Sequence, residues 1–165
     1  MRKIFAIFFV CAIILCGCGK KEKTTSNLSD ISFVADISYY DENFSFKTNI
    51  DKKGEMTAQV VSPEDFKNLK FIFNSDSETA EFMGFTYTPK TGKLPVNNVV
   101  RIMFEAIEDV GDNTVITSKS GENHKIKGKI DAGEYIFTFS PSGLPLRLEI
   151  SDIKYIVRFS DLTLV

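Results

Sequence analysis

The sequence predicts a mainly β protein of the α+β kind, an antiparallel sheet that carries one amphipathic helix. Three observations lead there. Apolar residues recur at every second position through most of the chain beyond residue 30, the period of a strand with one buried face and one wet face. Short runs of Gly, Asp, Pro and Ser separate those segments, as hairpin turns between successive strands would. One stretch after Pro95 changes period: Val96, Val99, Val100, Met103, Phe104 and Ile107 stand at i, i+3, i+4, i+7, i+8 and i+11, the apolar stripe of a helix. The composition agrees, since 165 residues with 43% hydrophobic and 25% charged side chains make a globular mixture sized for one ordinary domain.

The strands follow in order. Phe33, Ala35, Ile37 and Tyr39 alternate with Ser32, Asp36 and Ser38, and Phe44, Phe46, Thr48 and Ile50 alternate with Ser45, Lys47, Asn49 and Asp51. The pattern recurs at Met56-Ala58-Val60, Phe71-Phe73, Ile126-Gly128-Ile130, Tyr135-Phe137-Phe139, Leu146-Leu148-Ile150 and Tyr155-Val157-Phe159. Turn residues at 51–54, 131–133 and 141–145 predict a meander of hairpins. The segment Glu78 to Thr88 reads as one strand bent or bulged at Gly84. Ser62-Pro63-Glu64-Asp65, followed by Phe66 and Leu69, has the N-cap, early proline and acidic residues of a short helical turn. The longer helix is expected from Pro95 to Asp109, ending before Gly111. Asn97, Asn98, Arg101, Glu105, Glu108 and Asp109 take its polar face. A helix lying on a membrane surface would carry Lys or Arg there, so this one is expected to pack on the sheet.

The first thirty residues carry an address. Met1-Arg2-Lys3 is a charged start, and Ile4 to Leu15 is an unbroken apolar run of twelve residues. A helical membrane span needs about 20, so residues 1–17 read as a secretion signal. Leu15-Cys16-Gly17-Cys18 resembles the bacterial lipobox. That resemblance implies cleavage after Gly17, a thioether-linked diacylglyceryl group on Cys18, and a new amino terminus open to acylation, for example by palmitate. All three cysteines lie within the first eighteen residues, which leaves the domain without a disulfide framework or a cysteine zinc site. Two acyl chains anchor stably where one is marginal, so the expected location is the extracytoplasmic face of a bacterial cell membrane. Residues 18–30 then form the lipidated cysteine and a polar tether, whose twelve residues from Gly19 reach about 40 Å when extended. Lys20, Lys21 and Lys23 either touch anionic headgroups or are simply solvated.

The order of tether, strand meander, short Ser-Pro-Glu-Asp turn, further strands, one amphipathic helix and a final meander resembles the LolA-like superfamily of lipoprotein carriers and related surface lipoproteins. Ser142-Gly-Leu-Pro-Leu-Arg-Leu-Glu-Ile150 with Tyr155-Ile-Val-Arg-Phe-Ser160 is similar to the late hairpin of that family. The resemblance implies that residues 31–165 form a strongly curved half-barrel with the helix and the short turn on its concave side, and that acyl chains enter between sheet and helix. Twelve of the 15 Phe lie beyond Cys18 and there is no Trp. Phenylalanine can line a lipid cavity without a polar atom to satisfy, and it equally makes ordinary sheet core. On this reading the ligand-lining residues are Phe44, Phe46, Phe71, Phe73, Val96, Val100, Met103, Phe104, Phe137 and Phe139.

Chemistry is sparse. His124 is the only histidine and sits in the polar string Gly121-Glu-Asn-His-Lys125, expected to be a loop. There is no nucleophile elbow, phosphate loop or zinc-protease motif. Asp109, Asp112 and Asp131 lack the spacing of a calcium loop and read as solvated carboxylates. Lys125, Lys127 and Lys129 would share one side of a strand, either as a basic stripe for a headgroup or partner or as a solvated edge. A formal net charge of −2, moving to −4 once Arg2 and Lys3 leave with the signal, argues against nucleic acid as a partner. The expectation is a non-enzymatic protein without a metal or cofactor beyond the lipid on Cys18. It either binds a lipid or other hydrophobic ligand, or recognises an envelope protein in a structural or regulatory role.

Overall fold

The computed structural model describes residues 28–95, 98–112, 116–120 and 123–164. The leader, Cys18, the tether up to residue 27, and Val96 lie outside them. Eleven described strands form one antiparallel sheet: β1 (Ile31–Tyr39), β2 (Glu42–Ile50), β3 (Met56–Ser62), β4 (Lys70–Phe73), β5 (Glu78–Phe82), β6 (Phe85–Tyr87), β7 (Ile116–Ser120), β8 (Asn123–Ile130), β9 (Gly133–Phe139), β10 (Pro145–Ile150) and β11 (Tyr155–Leu164). Helix α1 (Val99–Asp112) separates β6 from β7. The spatial order is β6-β5-β4-β3-β2-β1-β11-β10-β9-β8-β7. Two meanders, one on each side of the helix in sequence, are therefore joined at their oldest and youngest strands, with β1 paired to β11 from Ile31↔Leu164 to Tyr39↔Tyr155.

The period-two pattern is realised as a buried face. Ile31, Phe33, Ala35 and Ile37 on β1, Phe46 and Ile50 on β2, Met56, Ala58 and Val60 on β3, and Tyr155, Val157 and Phe159 on β11 point into one core. The sheet is open and curved. Phe73 on β4 stacks on Phe104 of α1 at 4.8 Å, while Tyr135 on β9 bonds Asp109 of the same helix at 2.6 Å. In a flat sheet those two strands, six places apart in the order, would stand almost 30 Å apart at about 4.8 Å per strand. Contact with one helix, about 10–12 Å in diameter, requires the sheet to bend around it. The mainly β half-barrel with a helix on its concave side is thus the observed fold.

Turn chemistry sets the hairpins. Asp51 Oδ1 accepts the amides of Lys53 and Glu55 at 2.8 and 2.9 Å, closing the β2–β3 turn over Gly54, whose φ of 83° favours glycine.

Several local expectations are corrected. The segment from Glu78 is two strands, β5 and β6, folded back at Met83-Gly84, because both turn residues adopt left-handed backbone (φ 49° and 83°), as two-residue hairpins require. Helix α1 starts at Val99 rather than Pro95 and continues through Gly111 to Asp112. Asn98 is the reason for the start: its Oδ1 accepts the amides of Val100 and Arg101 at 3.0 and 3.1 Å, the geometry of an N-cap. The short turn at Glu64–Phe66 is 3-10, flanked by Pro63 and without a side-chain cap, so Ser62 does not act as one. His124 lies in β8 rather than in a loop, paired in register with Phe139. Strand β7, opposite β8, has no counterpart among the expected elements.

Candidate functional site

Helix α1 is held on the sheet by two different kinds of contact. Near its N-terminal half, Arg101 is only 4% exposed, which corrects its assignment to the solvent face. Its guanidinium donates to the Leu94 carbonyl, bonds Glu105 Oε1 at 2.7 Å and lies 3.5 Å from Glu78 Oε1. Glu78, also buried, accepts the Leu94 amide through its other oxygen at 2.6 Å. One buried cation thus ties the segment entering the helix to β5, although its Nε has no hydrogen-bond partner among the described residues. Burial raises the Glu105 carboxyl above its usual range. Arg101 partly offsets that, and the negative charge of Asp131 adds to it.

At the C-terminal half, Tyr135 donates to Asp109, so Asp109 is not merely solvated. Burial first, and then this bond, push the Tyr135 phenol well above its ordinary value. Gly128 makes the contact possible: a Cβ there would collide with the Tyr135 hydroxyl and Asp109 Oδ2. At the first residue of α1, Tyr155 donates to the Val99 carbonyl at 2.7 Å, and its buried phenol is also held well above its normal value.

The helix-sheet seam opens at both ends. Beside the N-terminus of α1 is a pocket of about 160 Å³ lined wholly by apolar residues: Phe44, Phe46, Val60, Pro63, Phe66, Leu69, Phe71 and Val99. Pro63 and Phe66 reach it from the 3-10 turn and the residue before it. Beside the C-terminal half is a cleft of about 440 Å³, with Leu28, Ile50, Phe104 and Ile107 among Lys53, Glu55, Glu108, Ser29 and Ser75. The larger cleft has the size of a small-molecule site, but seating an apolar group there would strip water from charged side chains. The smaller pocket carries no such penalty.

The residues expected to line a ligand site divide accordingly. Phe44, Phe46 and Phe71 come together in the apolar pocket. Phe104 borders the larger cleft. Phe73, Val100, Met103, Phe137 and Phe139 are buried in the core, with Phe137 stacked on Phe139 at 4.5 Å. Val96 lies outside the described residues. Val60, Pro63, Phe66, Leu69 and Val99 line the pocket without being among the expected residues, although Val99 stands on the same apolar stripe of the helix as Val96, Val100, Met103 and Phe104. Of the lysine stripe, Lys127 and Lys129 are exposed, whereas Lys125 is half-buried. Among the described residues no group of three or more His, Cys, Asp or Glu could hold a metal ion, and no helix is long and apolar enough to cross a membrane.

Fold and site together define an open antiparallel half-barrel with an apolar pocket beneath one end of helix α1. No family model and no curated protein matches the chain. Among solved structures, a LolA superfamily protein from Nitrosomonas europaea is similar, at 7% sequence identity and a TM-score of 0.38, with 82% of this chain and 84% of that one covered.

Proposed function

We propose that the protein is a non-catalytic, membrane-anchored lipoprotein of the bacterial envelope, attached through diacylglycerol on Cys18, that takes a slender apolar group such as the end of an acyl chain into the pocket beside the N-terminus of α1. The observation that carries this reading is the pocket's lining: eight residues, all apolar, open at Phe66, which is 50% exposed. Sites for apolar ligands are concave and mostly hydrophobic, and a pocket of about 160 Å³ suits part of a chain rather than a whole lipid. The lipobox-like Leu15-Cys16-Gly17-Cys18 supports the anchor and the extracytoplasmic location.

The alternative, recognition of an envelope protein in a structural or regulatory role, is favoured by one observation. Beneath the middle of the helix the core is filled, with Val100, Met103, Phe73 and Phe137 fully buried, and no described opening joins the two ends of the seam.

Native mass spectrometry with lipid extraction, on the chain from Gly19 to Val165, separates the two readings. A stoichiometric apolar molecule is expected, together with uptake of a fluorescent fatty acid that Val99→Trp abolishes while the far-ultraviolet circular dichroism is retained. An empty protein that ignores fatty acids and phospholipids would overturn ligand binding in favour of the protein partner. Val100 is unsuitable for this test, since a larger side chain at a fully buried position overpacks the core.

A further inference from the structure

The apolar face of the sheet extends beyond its cover. Cross-strand neighbours share a face, and the register Phe71↔Ala80 and Ala80↔Tyr87 carries the buried row of β4 outward to the edge strand. Phe82 and Phe85 pair one step nearer the hairpin tip. On β6 and the turn before it no described residue covers these side chains: Phe85 is 81% exposed, Met83 79% and Tyr87 60%. From Phe82 to Pro89 the chain has no charged residue. The neighbouring acids are held by lysines, Glu81 by Lys70 at 3.5 Å and Glu64 by Lys67 at 3.0 Å. The hairpin tip stands at the same end of the sheet as the pocket mouth, facing the Asn68 turn across a groove of about 490 Å³.

We propose that the β5–β6 hairpin is a membrane-docking tip that inserts Met83 and Phe85 into the headgroup boundary of a lipid bilayer. This rests on the anchored, lipid-binding reading above. Contiguous exposed apolar side chains mark interaction surfaces, and three features select a bilayer as the occupant. The tip is uncharged, so insertion desolvates no ion. Apolar residues lead and the Tyr87 phenol follows, the order that suits the membrane–water interface. The reach also fits. The described chain begins at Leu28, beside the cleft that contains the β2–β3 turn, at the end of the sheet away from the hairpin tip. Ten residues from Cys18 to Leu28 span up to about 35 Å, against about 30 Å for a nine-residue strand. The domain can therefore turn its hairpin to the bilayer that holds its anchor.

The chain contains no Trp, so Phe85→Trp supplies a single reporter at a position that packs against little. The full mature lipidated protein is reconstituted into vesicles of phosphatidylglycerol and phosphatidylethanolamine containing brominated lipid. Lys127→Trp, exposed on β8 in the other half of the sheet, serves as the control. The expected result is a blue shift and quenching for Phe85→Trp, neither for Lys127→Trp, and loss of both effects when Met83→Asp is added to Phe85→Trp. Unshifted, unquenched emission at position 85, or equal quenching at both positions, would overturn the docking tip, as would shielding of position 85 only on self-association or on addition of a protein partner. Fatty-acid uptake by the same Phe85→Trp protein reads the pocket separately. Uptake without quenching removes the tip and leaves the pocket; quenching without uptake keeps the tip and removes the pocket.

Discussion

The two wings of the sheet meet the helix differently. On the β8–β9 side the contact is close and polar: Gly128 gives up its side chain so that the Tyr135 hydroxyl can reach Asp109. On the β3–β6 side the contact is looser, with Phe73 stacked on Phe104 in the interior, an apolar pocket beyond it and bare aromatic rings at the edge. Directional hydrogen bonds fix one wing in a single position, whereas dispersion and apolar burial hold the other without prescribing a precise fit. A site that admits a ligand belongs on the second wing.

This contrast can be broken at its strongest point. Arg101 is the exception on the loose wing, a buried cation tying β5 to the helix, and Arg101→Leu leaves Glu78 buried without its partner. A loss of about 3–5 kcal/mol in urea unfolding is expected; a loss below 1 kcal/mol would show that the wing is held by apolar contact alone. Gly128→Ala attacks the tight wing by forcing the helix away from β8, at about 1–3 kcal/mol in urea unfolding, while uptake of a fluorescent fatty acid at the opposite end of the seam, measured separately, should be retained.

A pH experiment sharpens the comparison further. The folded protein holds the Glu105 proton more tightly than the unfolded chain, because burial raises that carboxyl above its model value of 4.5. The folded state then carries more bound protons than the unfolded one as pH rises from that value, so this group's contribution to stability falls over the window up to its raised folded value. Glu105→Gln should remove that fall, seen as a wild-type minus variant stability difference that is more positive at pH 4 than at pH 7. A difference that does not change with pH would refute it. The smallest effect is expected at the edge: Phe85→Asn should alter folding stability by no more than about 0.5 kcal/mol, since the side chain it removes is mostly in water.

Much of this arrangement is written locally. Strands β1, β2, β9 and β11 are legible because a strict alternation such as Phe33-Ala35-Ile37 can bury only one face, and α1 because Val99, Val100, Met103 and Phe104 fall on one stripe. The β5–β6 hairpin was read as one strand because its turn, Met83-Gly84, is embedded in apolar residues rather than set off by polar ones. Arg101 looked solvent-facing because a helical wheel knows nothing of Glu78, distant in sequence and brought to it only by tertiary packing. Half of the expected ligand-lining Phe and Met residues proved to be packed core, since alternation says which side faces inward but not whether that interior is full.

The pairing of β1 with β11 has a consequence in time. The strand at Tyr155–Leu164 is hydrogen-bonded to β1 on one side and β10 on the other, so the last described segment is the keystone between the two meanders. Each meander can form from sequentially adjacent hairpins as it emerges, but the sheet cannot close around the helix until those residues arrive. Contacts of such long sequence separation form slowly, and until they do the inner edge of β1 and the apolar faces of both wings stay open to other chains. A nascent chain with this topology needs either a companion on that edge or rapid completion.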